Sequence, residues 1–150
     1  MKNTMKLEIL AQSVNESFAR SAVAAFALPL NPSLSALSDI KTAVSEGVTN
    51  AIVHAYRDET DEDKKKIFLE AEIFDEKGRK GIHIVITDHG KGIEDVPQAI
   101  SPFYTTLDGE ERSGMGFTVM QTFMTDMQVE SEPGKGTRVT LTKILDEDER

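Results

Sequence analysis

The sequence predicts an α+β fold, a two-layer sandwich in which helices pack on one face of a mixed, mostly antiparallel sheet. Three observations carry that expectation. Apolar residues in the first third of the chain recur at spacings of three and four, the period of a helix. After Lys66 the spacing drops to two, the period of a strand. The later strands pair through glycine-containing turns into hairpins, and no βαβ unit surrounds the glycine-rich stretches.

Met5 to Ala11 alternates as a strand. Ser13-Val14-Asn15-Glu16 reads as a capping box, with the Ser13 hydroxyl accepting from the Glu16 amide while the Glu16 carboxylate reaches back. The helix it opens carries Val14, Phe18, Ala22, Val23 and Phe26 on one face and stops at Asn31-Pro32. A longer helix is expected from about Ser35 to Tyr56, its stripe of Leu37, Ile40, Val44, Gly47, Val48, Ala51, Ile52 and Ala55 facing a sheet. Beyond an acidic loop, Ile67, Leu69, Ala71 and Ile73 alternate with Phe68, Glu70, Glu72 and Phe74. A turn over 75–81 leads to Ile82, Ile84 and Ile86, which completes a hairpin with one apolar face. Residues 94–113 hold Pro97, Pro102 and Gly109 without strong periodicity, which predicts a short helix and a mobile loop. A helix from Gly116 to Asp126 and a hairpin of Met127–Ser131 with Thr137–Ile144, turning at Pro133-Gly134-Lys135-Gly136, finish the chain. Met115, Met120, Met124 and Met127 are expected to line the core and the loop.

Length and charge bound the function. The 150 residues suit a single domain spanning 1–150, long enough to bury roughly 70% of its unfolded surface. No run approaches the ~20 apolar residues of a membrane span, and the first ten residues lack the apolar stretch of a secretory signal. The absence of Cys excludes disulfide scaffolds and Cys-ligated metal sites and suits the cytoplasm. His54, His83 and His89 are not spaced as metal ligands. A net charge of −9 argues against direct nucleic-acid binding, which draws on Lys and Arg. That charge is uneven: five acids lie in 58–63 and four in 146–149. Without those nine acids and the adjoining Lys64, Lys65, Lys66 and Arg150, 17 acids face 13 bases, about −4 for the body. The loop and the tail, about 145–150, read as solvated and frayed segments.

Four short motifs carry candidate chemistry. Glu46 and Asn50, four apart on the long helix, sit at the border of its apolar stripe, which suits a pocket floor: Asn50 as an oxygen ligand to magnesium, Glu46 as a base. An ordinary polar helix edge has the same pattern. Asp88-His89-Gly90-Lys91-Gly92 ends a strand; the aspartate there can accept from an exocyclic amine, and Gly90 and Gly92 allow backbone to approach a flat ring. A plain turn reads alike. Arg112-Ser113-Gly114-Met115-Gly116-Phe117 is a glycine-rich loop opening a helix, where free amides make an anion site, although a simple loop-to-helix junction also fits. It lacks both the Rossmann fingerprint and the Lys-Ser/Thr of a P-loop. Gly134-Lys135-Gly136-Thr137 places a hydroxyl just inside the last strand.

In this order the four motifs resemble the ATP-binding boxes of the Bergerat, or histidine-kinase-like ATPase, family over nearly the whole chain. Asn15-Glu16-Ser17-Phe18-Ala19-Arg20, Ser45-Glu46-Gly47-Val48-Thr49-Asn50-Ala51-Ile52 and Glu111-Arg112-Ser113-Gly114-Met115-Gly116-Phe117 are similar to the anti-sigma F factors, the small serine kinases of sporulating bacteria, with the anti-sigma B stress-response kinases as a sister group. The resemblance implies a homodimer that binds a sigma factor and, with Mg-ATP, phosphorylates a serine on an anti-anti-sigma protein. It implies that Asp88, assisted by Thr137, holds the adenine amine. Asn50 would hold Mg2+, and Thr105, Thr106, Ser113, Gly114, Met115 and Gly116 would contribute to the ATP/ADP site. It makes Arg20, otherwise a surface arginine, a partner contact. One departure is the lid, where Leu107-Asp108-Gly109 follows the paired threonines in place of Lys-Pro; Arg112 is then the nearest cation to the phosphates. Among reaction classes, a detached histidine-kinase module and a hydrolysing clamp compete with the serine kinase. No His precedes Glu46 to serve as a phosphoacceptor, and clamp ATPases carry large further domains.

Overall fold

The computed structural model describes residues 1–101 and 111–145, with 111–115 described by backbone alone. Five strands form one sheet: β1 (Lys2–Leu10), β2 (Lys66–Glu76), β3 (Arg79–Asp88), β4 (Asp126–Glu132) and β5 (Gly136–Leu145), in the order β1-β2-β3-β5-β4. Every pairing is antiparallel, so the sheet carries no parallel ladder among the described residues. The helices are α1 (Val14–Ala27), α2 (Leu34–Asn50), the four-residue α3 (Val96–Ala99) and α4 (Glu111–Phe123). They cover one face, and the result is the expected α+β two-layer sandwich.

The period-two alternation sets the core. Ile67, Leu69, Ala71 and Ile73 of β2, Ile82, Ile84 and Ile86 of β3, and Val139 and Leu141 of β5 are all buried on the helix-facing side. In register Leu69 lies opposite Ile86, and Ile84 opposite Leu141, so the apolar side chains form continuous rows across three strands. Against them pack Ala19, Val23 and Ala27 of α1, Ile40, Val44 and Val48 of α2, and Met120 of α4, each at 0% exposure. Each such aliphatic burial is worth about 1.5–3 kcal/mol for a large side chain, which makes this face the principal source of stability. Lys143 fastens the layers together: its ammonium donates to the Asp39 carboxylate of α2 at 3.1 Å and to the last carbonyl of α4, Phe123 O, at 2.8 Å.

Several expectations change in detail. The capping box does not form: Ser13 has helical dihedrals (φ −58°, ψ −30°), so its hydroxyl is turned away from the free amides, and the Glu16 carboxylate instead pairs with Arg20 Nε at 3.4 Å. The buried stripe of α1 is Ala19, Val23 and Ala27, while Val14 and Phe18 are 72% and 52% exposed. A helix laid close on a neighbouring helix favours small residues at the contact, and the alanines take that place. The turn expected over 75–81 shrinks to Lys77-Gly78, both at positive φ, because the ladder persists to the pair Glu76–Arg79. The long helix does reach residue 55, but its last turn, Ala51–Ala55, widens into a π turn. Helix α4 begins at Glu111, five residues before the expected start. The final tail falls outside the described residues except Leu145, which is the buried last residue of β5.

Candidate functional site

A cavity of about 430 Å³ lies between the C-terminal half of α2 and the ends of β3 and β5, a size usual for small-ligand sites. Its floor is apolar, with Gly47, Ala51 and Ala55 on the helix side, and Ile86, Val139 and Phe117 opposite. Three polar groups singled out in the sequence, Asn50, Asp88 and Thr137, converge on it. Gly92 and Lys91 form part of its rim, and α3 closes one side through Gln98 and the buried Ala99. Helix α3 is started by Asp95, whose carboxylate accepts from the Gln98 amide at 3.0 Å.

Asp88 is the last residue of β3 and only 7% exposed, the one buried charged side chain among the described residues. Burial pushes its carboxyl above the ordinary aspartate value, while the amides of Gly90 and Thr137 and the neighbouring His89 pull the other way. The Gly90 amide donates to Asp88 Oδ1 at 2.9 Å. Directly across the ladder stands Thr137 of β5, the Cα partner of Asp88.

The loop after Asp88 is sewn to its surroundings by backbone. Lys91 N donates to Ala55 O at 2.8 Å, and Gly134 N donates to Lys91 O at 2.7 Å. This explains the paired glycines better than approach to a ring does. A Cβ on Gly90 would lie 2.0 Å from Ala55 O, and one on Gly92, at φ +76°, would lie 2.1 Å from Glu132 O. Gly92 also lines the cavity, and Gly90 seats the loop against the helix end.

Asn50 closes the last turn of α2, and Gly116 lies against it: a Cβ there would sit 2.8 Å from Asn50 Nδ2 and 2.9 Å from Oδ1. Asn50 Nδ2 is buried and makes no hydrogen bond among the described residues. A buried amide nitrogen without a partner calls for an explanation, and Asn50 is among the residues that line the cavity. Because α4 starts at Glu111, Arg112, Ser113 and Gly114 belong to its first turn, where amides lack helical partners, and Met115 and Gly116 lie within the regular helix. The amides at 111–114 are therefore the ones that start the helix, whereas the sequence expectation centres on 114–116. Thr105 and Thr106 lie outside the described residues, as do the side chains of Arg112, Ser113 and Met115.

Glu46 is not brought to this cavity. One helical turn before Asn50, it lines a separate groove between α1 and α2, together with Arg20, Lys41 and Ser45. Residues four apart share a face but are turned by about 40° and displaced by about 6 Å along the axis, enough here to divide two openings. Arg20, expected as a partner contact, lies in this groove with its side chain 38% exposed.

Two positioning residues carry no signal in the sequence motifs. Tyr56, 6% exposed, donates its hydroxyl to Lys66 O and accepts from the His89 amide at 2.8 Å, which ties the end of the long helix to both β2 and the loop beyond Asp88. Ser131 contacts Thr137, Gly136 and Ile93. Each has one distant partner, His89 33 residues from Tyr56 and Ile93 38 residues from Ser131, and that link is invisible to neighbouring residues, although Ser131 also bonds Gly136 and Thr137 five and six residues on.

Comparisons with known proteins agree with this architecture. Residues 10–143 match the model of the histidine kinase-like ATPase domain. An anti-sigma F factor from Caldanaerobacter subterraneus subsp. tengcongensis is 54% identical over 143 residues, which covers 95% of this chain and 94% of the relative. One from Clostridium novyi is 52% identical over 143 residues, 95% of each chain. Among solved structures, the RsbU and RsbW domains of a Mycobacterium tuberculosis protein superpose with a TM-score of 0.66 at 18% identity, over 95% of this chain and 32% of that one, a likeness of fold. No helix among the described residues is long and apolar enough to cross a membrane. The chain belongs to the histidine kinase-like ATPase family and, within it, to the anti-sigma F factors.

Proposed function

We propose that the cavity binds ATP and ADP with Mg2+, and that the protein is a cytoplasmic, homodimeric anti-sigma factor. It would hold a sporulation sigma factor and phosphorylate a serine of an anti-anti-sigma protein. The observation that carries the nucleotide reading is Asp88: a buried carboxylate on the wall of a largely apolar cavity, with Thr137 as its cross-strand partner. A group kept there against its desolvation cost suits a ligand that donates hydrogen bonds, and the adenine amine is such a donor. The residues fit magnesium as well. Asn50, on the cavity wall, carries an amide oxygen that can ligate a cation, and Mg2+ commonly takes one or two protein oxygens with the rest from phosphates and water. The ion would supply charge neutralisation at the phosphates. The free amides at the start of α4 would receive the phosphates themselves, with Arg112 as the neighbouring cation. The acceptor serine, a hydroxyl, needs orienting and loses a proton, a role assigned to Glu46.

Sigma-factor binding rests on the names of the relatives, and Arg20, in its groove with Glu46, is the proposed contact. A second reading, an ATP-dependent sigma-binding switch without phosphoryl transfer, is favoured by one observation: Glu46 lines that groove and not the cavity. Calorimetry with ATP and ADP, followed by transfer of labelled γ-phosphate to an anti-anti-sigma protein, tests both. Wild type indifferent to nucleotide overturns the site. Binding without transfer selects the switch, and transfer lost in Glu46→Gln with ATP binding retained selects the kinase. Recovery of a stress-type sigma factor, and not a sporulation one, from cell extract with ATP would move the assignment to the sister group.

A further inference from the structure

We propose that Ser131 is a specificity-determining positioning residue: it accepts the hydrogen bond of the Thr137 hydroxyl, so that Thr137 presents only lone pairs beside Asp88 and the site selects a purine bearing an amine, not a carbonyl, at position 6. The inference deepens the ATP reading of this cavity and rests on it.

Proton counting leads there. A serine hydroxyl has one proton to donate and two lone pairs to accept with. Ser131 Oγ makes three contacts, all at 2.8 Å: with the Ile93 amide, with Gly136 O and with Thr137 Oγ1. The Ile93 N–H can only donate, so it fills one lone pair. The Gly136 carbonyl can only accept, so it takes the single proton of Ser131. The remaining contact is satisfied only if Thr137 donates to Ser131. Thr137 then has no proton left for the cavity that it lines.

The sheet register makes this a row. Asp88 of β3 is the Cα partner of Thr137 of β5, and Thr137 is the Cα partner of Ser131 of β4. Side chains directly opposite on neighbouring strands stand on the same face of a sheet. The cavity thus meets two acceptors side by side, with the serine behind them fixing the polarity of the second. A carboxylate alone discriminates poorly between purines. A 6-amino purine donates from its exocyclic nitrogen, but a 6-oxo purine has an N1–H that a carboxylate accepts equally well. The second acceptor breaks the tie, since it gains a hydrogen bond from an amine and faces lone pair against lone pair with a carbonyl. Polar mismatch of this kind discriminates more strongly than shape.

The test measures affinity for ATP and inosine triphosphate by calorimetry in wild type and variants. Wild type is expected to prefer ATP. Ser131→Ala frees the Thr137 hydroxyl to turn its proton towards a 6-oxo group, and the ATP-to-ITP ratio is expected to fall by about tenfold. Ser131→Thr keeps a hydroxyl and is expected to restore the ratio. In a Thr137→Val background, adding Ser131→Ala is expected to leave the ratio unchanged, an outcome that a merely structural role for Ser131 does not give. If the alanine variant does not fold, Ser131→Cys, of similar size and a weaker acceptor, is expected to lower the ratio in the same direction. A wild-type ratio in the folded Ala or Cys variant, or an equal loss in the valine background, overturns the proposal while leaving the ATP site standing. Wild type that binds neither nucleotide overturns both.

Discussion

The Asp88 end of the cavity and the groove between α1 and α2 are built on opposite principles. At the cavity end, Asp88 is 7% exposed and its known neighbours are backbone amides and strand partners fixed by register. At the groove, Arg20 pairs with Glu16 one turn earlier on the same helix; the side chains are 38% and 25% exposed although the facing Nε and Oε2 are covered, and Arg20 shares the groove with hydroxyls and the exposed Lys41. Electrostatic effects are large where water is excluded and small where it is not. The first region therefore holds its chemistry at a cost to stability, and the second keeps much of its charged surface in water.

The largest expected effect comes from breaking the buried end. Asp88→Asn replaces an acceptor by an amide that can point a donor at the adenine amine, and ATP affinity is expected to fall by about 10- to 100-fold, on the order of 1–3 kcal/mol. Calorimetry checks it, and unchanged affinity would detach Asp88 from the base. The same variant sharpens the stability side. Burial raises the Asp88 carboxyl in the folded protein, so the folded state holds its proton more tightly than the unfolded chain. Its contribution to stability is then present at low pH and is lost as pH rises through the folded value. Without nucleotide, the asparagine variant is expected to gain in melting temperature relative to wild type as pH rises from the ordinary aspartate range towards neutrality. A difference independent of pH would show that the buried charge costs the fold nothing.

Tyr56→Phe comes next. Removing the hydroxyl leaves Lys66 O and the His89 amide without this partner, a loss of about 1–2 kcal/mol. In a domain of this size that lowers the melting temperature by several degrees, about 2–4 °C per kcal/mol. Because the hydroxyl holds the loop that follows Asp88, ATP affinity is expected to fall as well, but less than in Asp88→Asn. Thermal unfolding with and without ATP separates the two losses. A variant as stable as wild type would mean that water replaces the hydroxyl.

The two regions were unequally legible in the sequence, and for a physical reason. Rows such as Ile67-Leu69-Ala71-Ile73 announce a strand because burial of one face acts on every second residue. Asp88, Asn50 and Thr137 were legible because each stands at the end of an element, where strand or helix pattern meets glycine. The polarity of Ser131 and the bridge of Tyr56 were not, since both depend on contacts across strands or between distant loops. Local rules misled where a competing contact won. Ser13-Val14-Asn15-Glu16 has the letters of a capping box, yet Glu16 is held by Arg20 and Ser13 is itself helical. Glu46 and Asn50 share a helix face, yet α1 packed against α2 gives Glu46 its own groove.

The smallest expected effect on fold and nucleotide falls at Arg20, and its smallness carries the information. Arg20→Ala removes an ion pair whose side chains are partly exposed, whose facing atoms are covered, and whose contact, at 3.4 Å from Nε, is not aligned as a hydrogen bond. Such pairs contribute about 0–1 kcal/mol, so the melting temperature is expected to shift by at most a few degrees. ATP affinity is expected to be unchanged, because Arg20 lines the groove and not the cavity. Capture of the sigma factor in the presence of ATP, measured on the same preparation, is expected to weaken at least tenfold if the guanidinium is a desolvated contact at the centre of that interface. Glu16→Gln gives the matching control, since it frees the guanidinium without removing it. Full sigma-factor binding in Arg20→Ala would return the arginine to the surface, and lost ATP binding there would mean that groove and cavity are one site.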